Sequence, residues 1–457
     1  MTLQSIVSAL VHATLGISTV ARIFRPTIFF AIPLVSFMVL LAPSSHATAA
    51  SSTAATSSNL KPTKLIFWPG YYGSKIAESV DDRGRVRGEV FLTLSNLLFG
   101  STKLKLKASL DSKPSLVSSG ILDSVSVIPW LYSIDAYGET VERVQDEARK
   151  YNIDASKDLY VFDYDWRLDP VSILKRFDEK LVEWKLNSEE HDISIVAHSM
   201  GGWLMSYWLR YGSQTPNEAV ENWAGLNLVK RVMFVAAPFR GTLSVFRNSF
   251  WGAPGIPNSS FLGAGVISSF PSTYYLTPNE ADFYSSSGEI TRLSLKKPTE
   301  WIENRWGALQ EPGLTEADEA SAKAFVEFHV QQSAAFQEKI HAPLSGDSVQ
   351  SAKSVDRLIQ IYIGEGYPTN ELGLEISRSP KRFAFTEKQI RKSTKSSSKL
   401  VTVVDGDETV STTSAQAPQY LLDLGGESFT RPASHLAILR DGEHIDWKKF
   451  LENKKEQ

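Results

Sequence analysis

Residues 193–211 constrain this chain more than any other stretch. They read I-S-I-V-A-H-S-M-G-G-W-L-M-S-Y-W-L-R-Y. Ile193, Ile195 and Val196 are β-branched and apolar, which suits a buried strand. Trp203, Leu204, Tyr207, Trp208 and Tyr211 recur at helical spacing, which suits a helix packed on that strand. A serine between a strand and a helix, with small residues two before and two after it, is the signature of a nucleophile elbow. So sharp a turn forces strained backbone angles on Ser199, and a side chain larger than a methyl at 197 or 201 is expected to collide across it. Ala197 stands where a glycine is usual, Gly201 keeps the usual form, and Gly202 lets the helix start close to the strand. The geometry predicts that Ser199 Oγ rises above the sheet and that the Met200 N–H points at the same spot. A small-x-Ser-x-small pentapeptide also arises by chance, but rarely with a β run and a helical run on its two sides.

The 457-residue chain is 42% hydrophobic and 22% charged, as in a globular enzyme. A net charge of -3 gives no reason to expect nucleic acid as a partner. The absence of cysteine excludes disulfides, thiolate metal sites and cysteine nucleophiles. At the N-terminus, Arg22 and Arg25 precede an apolar run over 28–42, shorter than the roughly 20 residues a membrane span needs. P-S-S-H-A-T-A follows, with cleavage expected at Ala47 or Ala49. This predicts a signal peptide over 1–49 and an exported protein, periplasmic, secreted or on the outer surface. The alternative is an uncleaved anchor, since the segment before Arg22 is long and fairly apolar. Residues 50–62 are rich in Ser, Thr and Ala and read as a flexible linker.

From Lys64 onward, strands expected at 65–68, 125–131, 159–162, 193–196 and 232–235 alternate with helices, including 136–151 and 171–186. That order predicts a parallel sheet covered by helices on both faces. The Gly-rich turn after the first strand, residues 69–74, either presents the Tyr71 N–H as a second oxyanion donor or simply ends the strand. Lys103, Lys105 and Lys107 alternate with leucines, as in an edge strand guarded by lysines or an anionic-lipid contact. Asp165 and Arg167, after a buried strand, read as architecture near the site. Residues 243–345 break the pattern with Pro, Gly, Ser and many aromatics, among them Phe246, Phe250, Trp251, Phe261, Phe270, Tyr274, Tyr275, Phe283 and Tyr284. They close with a polar helix around 316–340. This reads as a cap or lid inserted between a first core part, 63–242, and a second, 346–457. Its aromatics form either a surface for acyl chains or the cap's own core. The sheet resumes at 358–364, followed by a basic, Ser-rich loop at 381–399 and a strand at 400–404.

In hydrolases with such an elbow the acid and then the histidine follow the serine. Asp407, in the turn D-G-D-E-T-V after the late strand, is the expected acid, with Asp405 as the alternate. Two histidines come after it. His435 lies in a polar loop before an apolar run and can swing over Ser199, whereas His444 sits on a charged tail and reads as a surface residue.

These residues together resemble the lecithin:cholesterol acyltransferase family of the α/β-hydrolase superfamily, which includes lysosomal phospholipase A2 and the phospholipid:diacylglycerol acyltransferases. The matching segments are F-W-P-G-Y-Y-G at 67–73, Y-D-W-R-L at 164–168, A-H-S-M-G-G at 197–202, A-A-P-F-R-G at 236–241, D-G-D-E-T-V at 405–410 and S-H-L at 434–436. The resemblance implies an α/β-hydrolase fold with a lid early in 243–345. It implies Ser199, His435 and Asp407 as nucleophile, base and acid, and Tyr71 and Met200 as oxyanion donors. An acyl group would pass from a lipid ester, of glycerophospholipid type, through the serine to an alcohol or water. The implied partners are that ester, a lipid alcohol acceptor and a membrane or lipid interface. No metal or organic cofactor is implied. Two departures stand out: Ala197 replaces Gly, and without cysteine there is no disulfide-bounded membrane-binding loop. The competing classes are a non-catalytic lipid-binding protein on the same scaffold and a plain triacylglycerol lipase or esterase.

Overall fold

A computed structural model describes residues 61–452, apart from 82, 94, 97–99, 123–136, 257, 286, 345–356 and 395–402. The expected signal peptide, most of the linker and the expected strand at 125–131 lie outside the described residues.

Alternating side chains make the first strand, β1 (Thr63–Trp68), two-faced. Leu65 and Phe67 pack into one apolar cluster, Ile66 and Trp68 into another. A small antiparallel sheet follows, formed by β2 (Ser74–Val80), β3 (Val86–Glu89) and β4 (Val117–Ile121). Helix α1 (Gly138–Lys150) then leads to β5 (Leu159–Val161), and α2 (Pro170–Glu183), N-capped by Asp169, leads to β6 (Asp192–His198). Helix α3 (Met200–Tyr211) and β7 (Val229–Val235) complete the first half. Later in the chain come β10 (Leu358–Gly364) and β15 (Glu427–Arg431), introduced with their neighbours below.

The main sheet has six strands in the order β15-β10-β7-β6-β1-β5. Every pairing in it is parallel. Val141, Val144 and Ala148 of α1 cover one face, and Phe177 of α2 with Trp203 and Leu204 of α3 cover the other. Strand β6, which carries the elbow, lies inside the sheet between β7 and β1. The strand ending in Arg431 was not expected from sequence. Its alternation of exposed and half-buried residues is that of a sheet edge.

The cap starts with α4 (Leu243–Trp251) and α5 (Pro271–Leu276), continues through the hairpin β8 (Glu280–Tyr284) and β9 (Ile290–Ser294), and ends in α6 (Glu316–His341). Beyond β10 lie β11 (Tyr367–Asn370), β12 (Leu372–Arg378), β13 (Lys381–Ala384) and β14 (Val403–Gly406). Strands β12 and β13 join the cap hairpin in a four-stranded sheet, β12 running parallel to β8. Part of the segment after 346 therefore shares a sheet with the cap hairpin. Two expectations change. The stretch around Lys103–Lys107 forms turns instead of an edge strand, and the basic segment after 381 is a strand followed by the helix Glu387–Thr394. Strand β14 pairs with β11 in a two-stranded ribbon, outside the main sheet.

The cap aromatics are buried: Phe246, Tyr274 and Phe283 in the cap's own core, and Phe261, Phe270 and Tyr275 in the large cluster they share with the main sheet. Phe246, Phe261, Phe270, Tyr274, Tyr275 and Phe283 are each 2% exposed or less. Phe246 packs edge-on against Phe250, Trp301 and Trp306, and Phe283 lies 4.0 Å from Phe383 of β13. The expectation of an aromatic surface offered to acyl chains is therefore corrected for these residues.

Candidate active site

Ser199 sits between β6 and α3 with φ 54° and ψ -125°, a conformation that side chains other than glycine adopt only under constraint. Its N–H donates to Val235 O at 2.9 Å, and its carbonyl accepts from Gly202 and Trp203. Close packing explains the small residues around it. A methyl on Gly201 would lie 2.6 Å from Pro69 O and 2.7 Å from Trp68 O, and one on Gly202 would lie 2.7 Å from Ala237 Cβ. Position 201 thus admits no side chain at all, a tighter limit than the methyl expected from sequence. The reason is that the end of β1 crosses over the start of α3.

Asp407 and His435 arrive from β14 and β15. His435 Nδ1 lies 2.8 Å from Asp407 Oδ2, and His435 Nε2 lies 2.9 Å from Ser199 Oγ. The other carboxylate oxygen, Oδ1, accepts the N–H groups of Thr409 and Val410 at 3.0 and 2.7 Å, and the Asp407 carbonyl accepts the His435 N–H. Asp407 is 1% exposed. With one oxygen bound to backbone donors, the other faces the imidazole, so Nδ1 carries the proton and Nε2 is left to accept one. Asp405 is elsewhere: its carboxylate accepts the Gly366 N–H on the β11–β14 ribbon. His444 is also apart, near Glu443.

The turn after β1 passes directly over the serine. A methyl on Gly70 would come within 2.6 Å of Ser199 Cβ and 3.0 Å of Ser199 Oγ. The turn is closed by Gly73 N–H on Gly70 O, and Tyr72 takes φ 64° within it. Tyr71 follows Gly70, so its N–H belongs to this turn beside Ser199. The Met200 N–H is the first of α3 and has no acceptor inside the helix. The Tyr71 ring packs against Tyr72 and Trp166, and burial pushes its hydroxyl up to about 12.

The Y-D-W-R-L segment holds this turn in place. Tyr164 Oη donates to Pro69 O at 2.9 Å and Trp166 Nε1 to Ser74 O at 3.0 Å. Arg167 makes a fork to Asp165, at 2.8 and 2.6 Å, and donates to Leu104 O at 2.9 Å. Its carbonyl accepts the Ser272 N–H from the cap. Asp165 and Arg167 are therefore the architecture expected of them.

Two site residues were given no role from sequence. His198, fully buried beside Ser199, lies with Nδ1 2.6 Å from Tyr137 Oη and Nε2 2.8 Å from the His435 carbonyl. Tyr137 Oη in turn accepts the Gly70 N–H at 2.8 Å. Burial pushes the His198 imidazole down to about 3, so it is neutral. Strand alternation alone sends His198 to the face opposite Ala197, but Tyr137 carries no local signal, since its partner is 61 residues away.

A parallel sheet covered on both faces, with a strained serine between a central strand and its following helix, defines an α/β-hydrolase fold. The family model of lecithin:cholesterol acyltransferase matches residues 125–417, and the chain belongs to that family. The match includes Ser199 and Asp407 and stops short of His435. No curated protein matches the sequence. Among solved structures, the Tle4-Tli4 complex is 14% identical, with 85% of this chain and 97% of that chain covered and a TM-score of 0.46. Phospholipase PlaB from Legionella pneumophila is 11% identical, covering 48% and 33% at a TM-score of 0.23. Its complex with thio-NAD is 10% identical, covering 61% of each chain at 0.21.

Proposed function

We propose that this protein is a serine acyltransferase or acyl hydrolase acting on lipid esters. One observation carries the reading: a buried imidazole within hydrogen-bond reach of a strained serine hydroxyl on one side and a backbone-anchored carboxylate on the other. Membership of the lecithin:cholesterol acyltransferase family supports a lipid ester as the substrate class.

In this mechanism Ser199 Oγ attacks the acyl carbonyl while His435 Nε2 takes its proton. Asp407 holds the productive tautomer and stabilises the imidazolium. The N–H groups of Met200 and Tyr71 receive the developing oxyanion, each worth roughly 2.7–4 kcal/mol by analogy with other acyl-transfer enzymes. The imidazolium returns its proton to the departing alkoxide, which leaves as an alcohol, and Ser199 keeps the acyl group as an ester. Water or a second alcohol, deprotonated by His435, then attacks that ester; the bond to Ser199 Oγ breaks, His435 returns the proton to Oγ, and fatty acid or a new lipid ester leaves.

A fluorophosphonate probe should label the wild type at Ser199 and fail on Ser199→Ala; equal labelling of both would overturn the assignment. Purified protein with phospholipid vesicles, first without and then with a long-chain alcohol, should release fatty acid alone in the first case. New ester in the second identifies the transferase, and fatty acid in both the hydrolase. Vesicle binding with no product would support the lipid-binding alternative. The signal peptide stands as part of the proposal: the exported protein should begin near Thr48 or Ala50, and an intact Met1 on a membrane-bound product would overturn cleavage.

A further inference from the structure

We propose that His198 and Tyr137 form a positioning unit that keeps the Gly70–Tyr71 turn and the His435 loop in register about Ser199. The inference rests on the acyl-transfer reading above.

The unit is a single line of hydrogen bonds. It runs from the Gly70 N–H to Tyr137 Oη at 2.8 Å, on to His198 Nδ1 at 2.6 Å, and from His198 Nε2 to the His435 carbonyl at 2.8 Å. Its proton arrangement is determined at both ends. A backbone N–H can only donate, so the Tyr137 oxygen accepts there and its own proton goes to Nδ1. A carbonyl can only accept, so Nε2 carries the imidazole proton. Neutral histidine has one donor and one acceptor nitrogen, and here each meets its complement. The three side chains are buried, at 1% exposure for Tyr137, 0% for His198 and 5% for His435. Hydrogen bonds so shielded from water are directional and costly to break.

The ends of the line distinguish this unit from a merely satisfied buried pair. One end is Gly70, whose Cα stands so close to Ser199 that an added methyl would reach 3.0 Å from its Oγ. The other is the carbonyl of the residue whose Nε2 lies 2.9 Å from that same oxygen. His198 itself is covalently next to the nucleophile. Three segments that share no secondary-structure element are thus tied together through the residue before Ser199. Because the Gly70 N–H is committed to Tyr137, the donor left in the turn beside the serine is that of Tyr71. The His198 ring also sits 4.8 Å from the His435 ring. A second cation there would oppose the imidazolium that forms on His435 during acyl transfer, and a neutral His198 avoids this.

Three full-length variants test the unit: Tyr137→Phe, which removes the central hydroxyl; His198→Gln, which can keep only the donor to the His435 carbonyl; and their double. The readout is kcat per fluorophosphonate-labelled Ser199, with KM for a long-chain ester. Each single variant should lower kcat per labelled site roughly 10- to 100-fold, as small misplacements of reacting groups do, with KM near the wild-type value. The double variant should be no worse than the worse single, because one line is broken once. A purely structural role would lower the melting temperature and the labelled fraction but leave kcat per labelled site unchanged, and that result would overturn the proposal. Additive losses in the double would overturn the single line. Should His198→Gln fail to fold, Tyr137→Phe decides alone. A wild type that neither takes the label nor turns over ester would instead overturn the acyl-transfer reading itself.

Discussion

His198 and His329 are both buried and both neutral, yet the regions around them are built differently. Each nitrogen of His198 has a hydrogen-bond partner, and so do Tyr137 Oη, the Asp407 carboxylate and both nitrogens of His435. His329, on α6 of the cap, packs among Phe325, Phe328, Tyr274 and Tyr275, and its Nδ1 has no partner among the described residues. The floor of the site is held by directional bonds. The cap has directional bonds too, such as Trp301 Nε1 to Leu295 O and Trp306 Nε1 to Lys381 O, but around His329 ring contacts fill the volume and fix no single direction as tightly. The contrast follows from function. In the proposed mechanism proton transfer at Ser199 needs donor and acceptor well aligned, whereas a cap needs only to stay folded.

The largest effect expected from this contrast is at the carboxylate. Asp407→Asn should leave the fold intact and reduce turnover by about 10⁴, as loss of the correct tautomer does. Asp405→Asn, which removes a charge from the β11–β14 ribbon and keeps an oxygen that can accept the Gly366 N–H, should leave turnover near wild type. Steady-state kinetics on purified variants decide, and the reverse ranking would mean that the bonds at Asp407 do not direct the chemistry.

In the cap, Phe283→Ala should cost about 3–5 kcal/mol of stability through the cavity it leaves. Because only volume is lost, kcat per labelled Ser199 should stay near wild type. A denaturant titration alongside active-site labelling checks both halves. A large fall in kcat per site with unchanged stability would break the division between the two regions.

Acid should strain both regions through their histidines. Burial lowers the imidazoles of His198 and His329 from 6.5 to about 3 and about 4. The unfolded chain therefore binds these protons more readily, so stability falls as pH drops from about 6.5 towards 4. Each group removes up to about 1.4 kcal/mol per pH unit in that window. Melting temperatures measured from pH 7 to 4.5 should decline, and His329→Gln should flatten part of the slope. An unchanged slope in that variant would mean that the cap histidine is not held neutral.

The smallest effect is steric. Gly201→Ala should cost about 1–3 kcal/mol, because its methyl meets the backbone carbonyls of Trp68 and Pro69 and no side chain can move aside. A melting temperature equal to wild type would show that the end of β1 yields more readily than the hydrogen-bonded floor suggests.

Residues near one another in sequence made much of this molecule legible. The β run, small-residue turn and helical run around Ser199 are local, and so are the turn chemistry at Asp407 and the loop before α-helical residues at His435. Short apolar runs likewise announced the buried strands β1 and β6. Other features had no local trace. β15 is short and half exposed, so its pattern is faint. β12 and β13 join the cap only because Leu372 finds Asp282 across about ninety residues of chain, a pairing decided by which sheet edge is open.

The sequence by itself determined the strained strand-to-helix turn at Ser199, which depends on backbone sterics over a few residues, and the chain order of Ser199, Asp407 and His435. Only the tertiary structure placed Asp407 beside His435 and Asp405 away from it, buried the cap aromatics, and joined Gly70, Tyr137, His198 and His435 in one line. Those outcomes depend on which distant groups share a low-dielectric interior, where a polar atom must find a partner of the right kind.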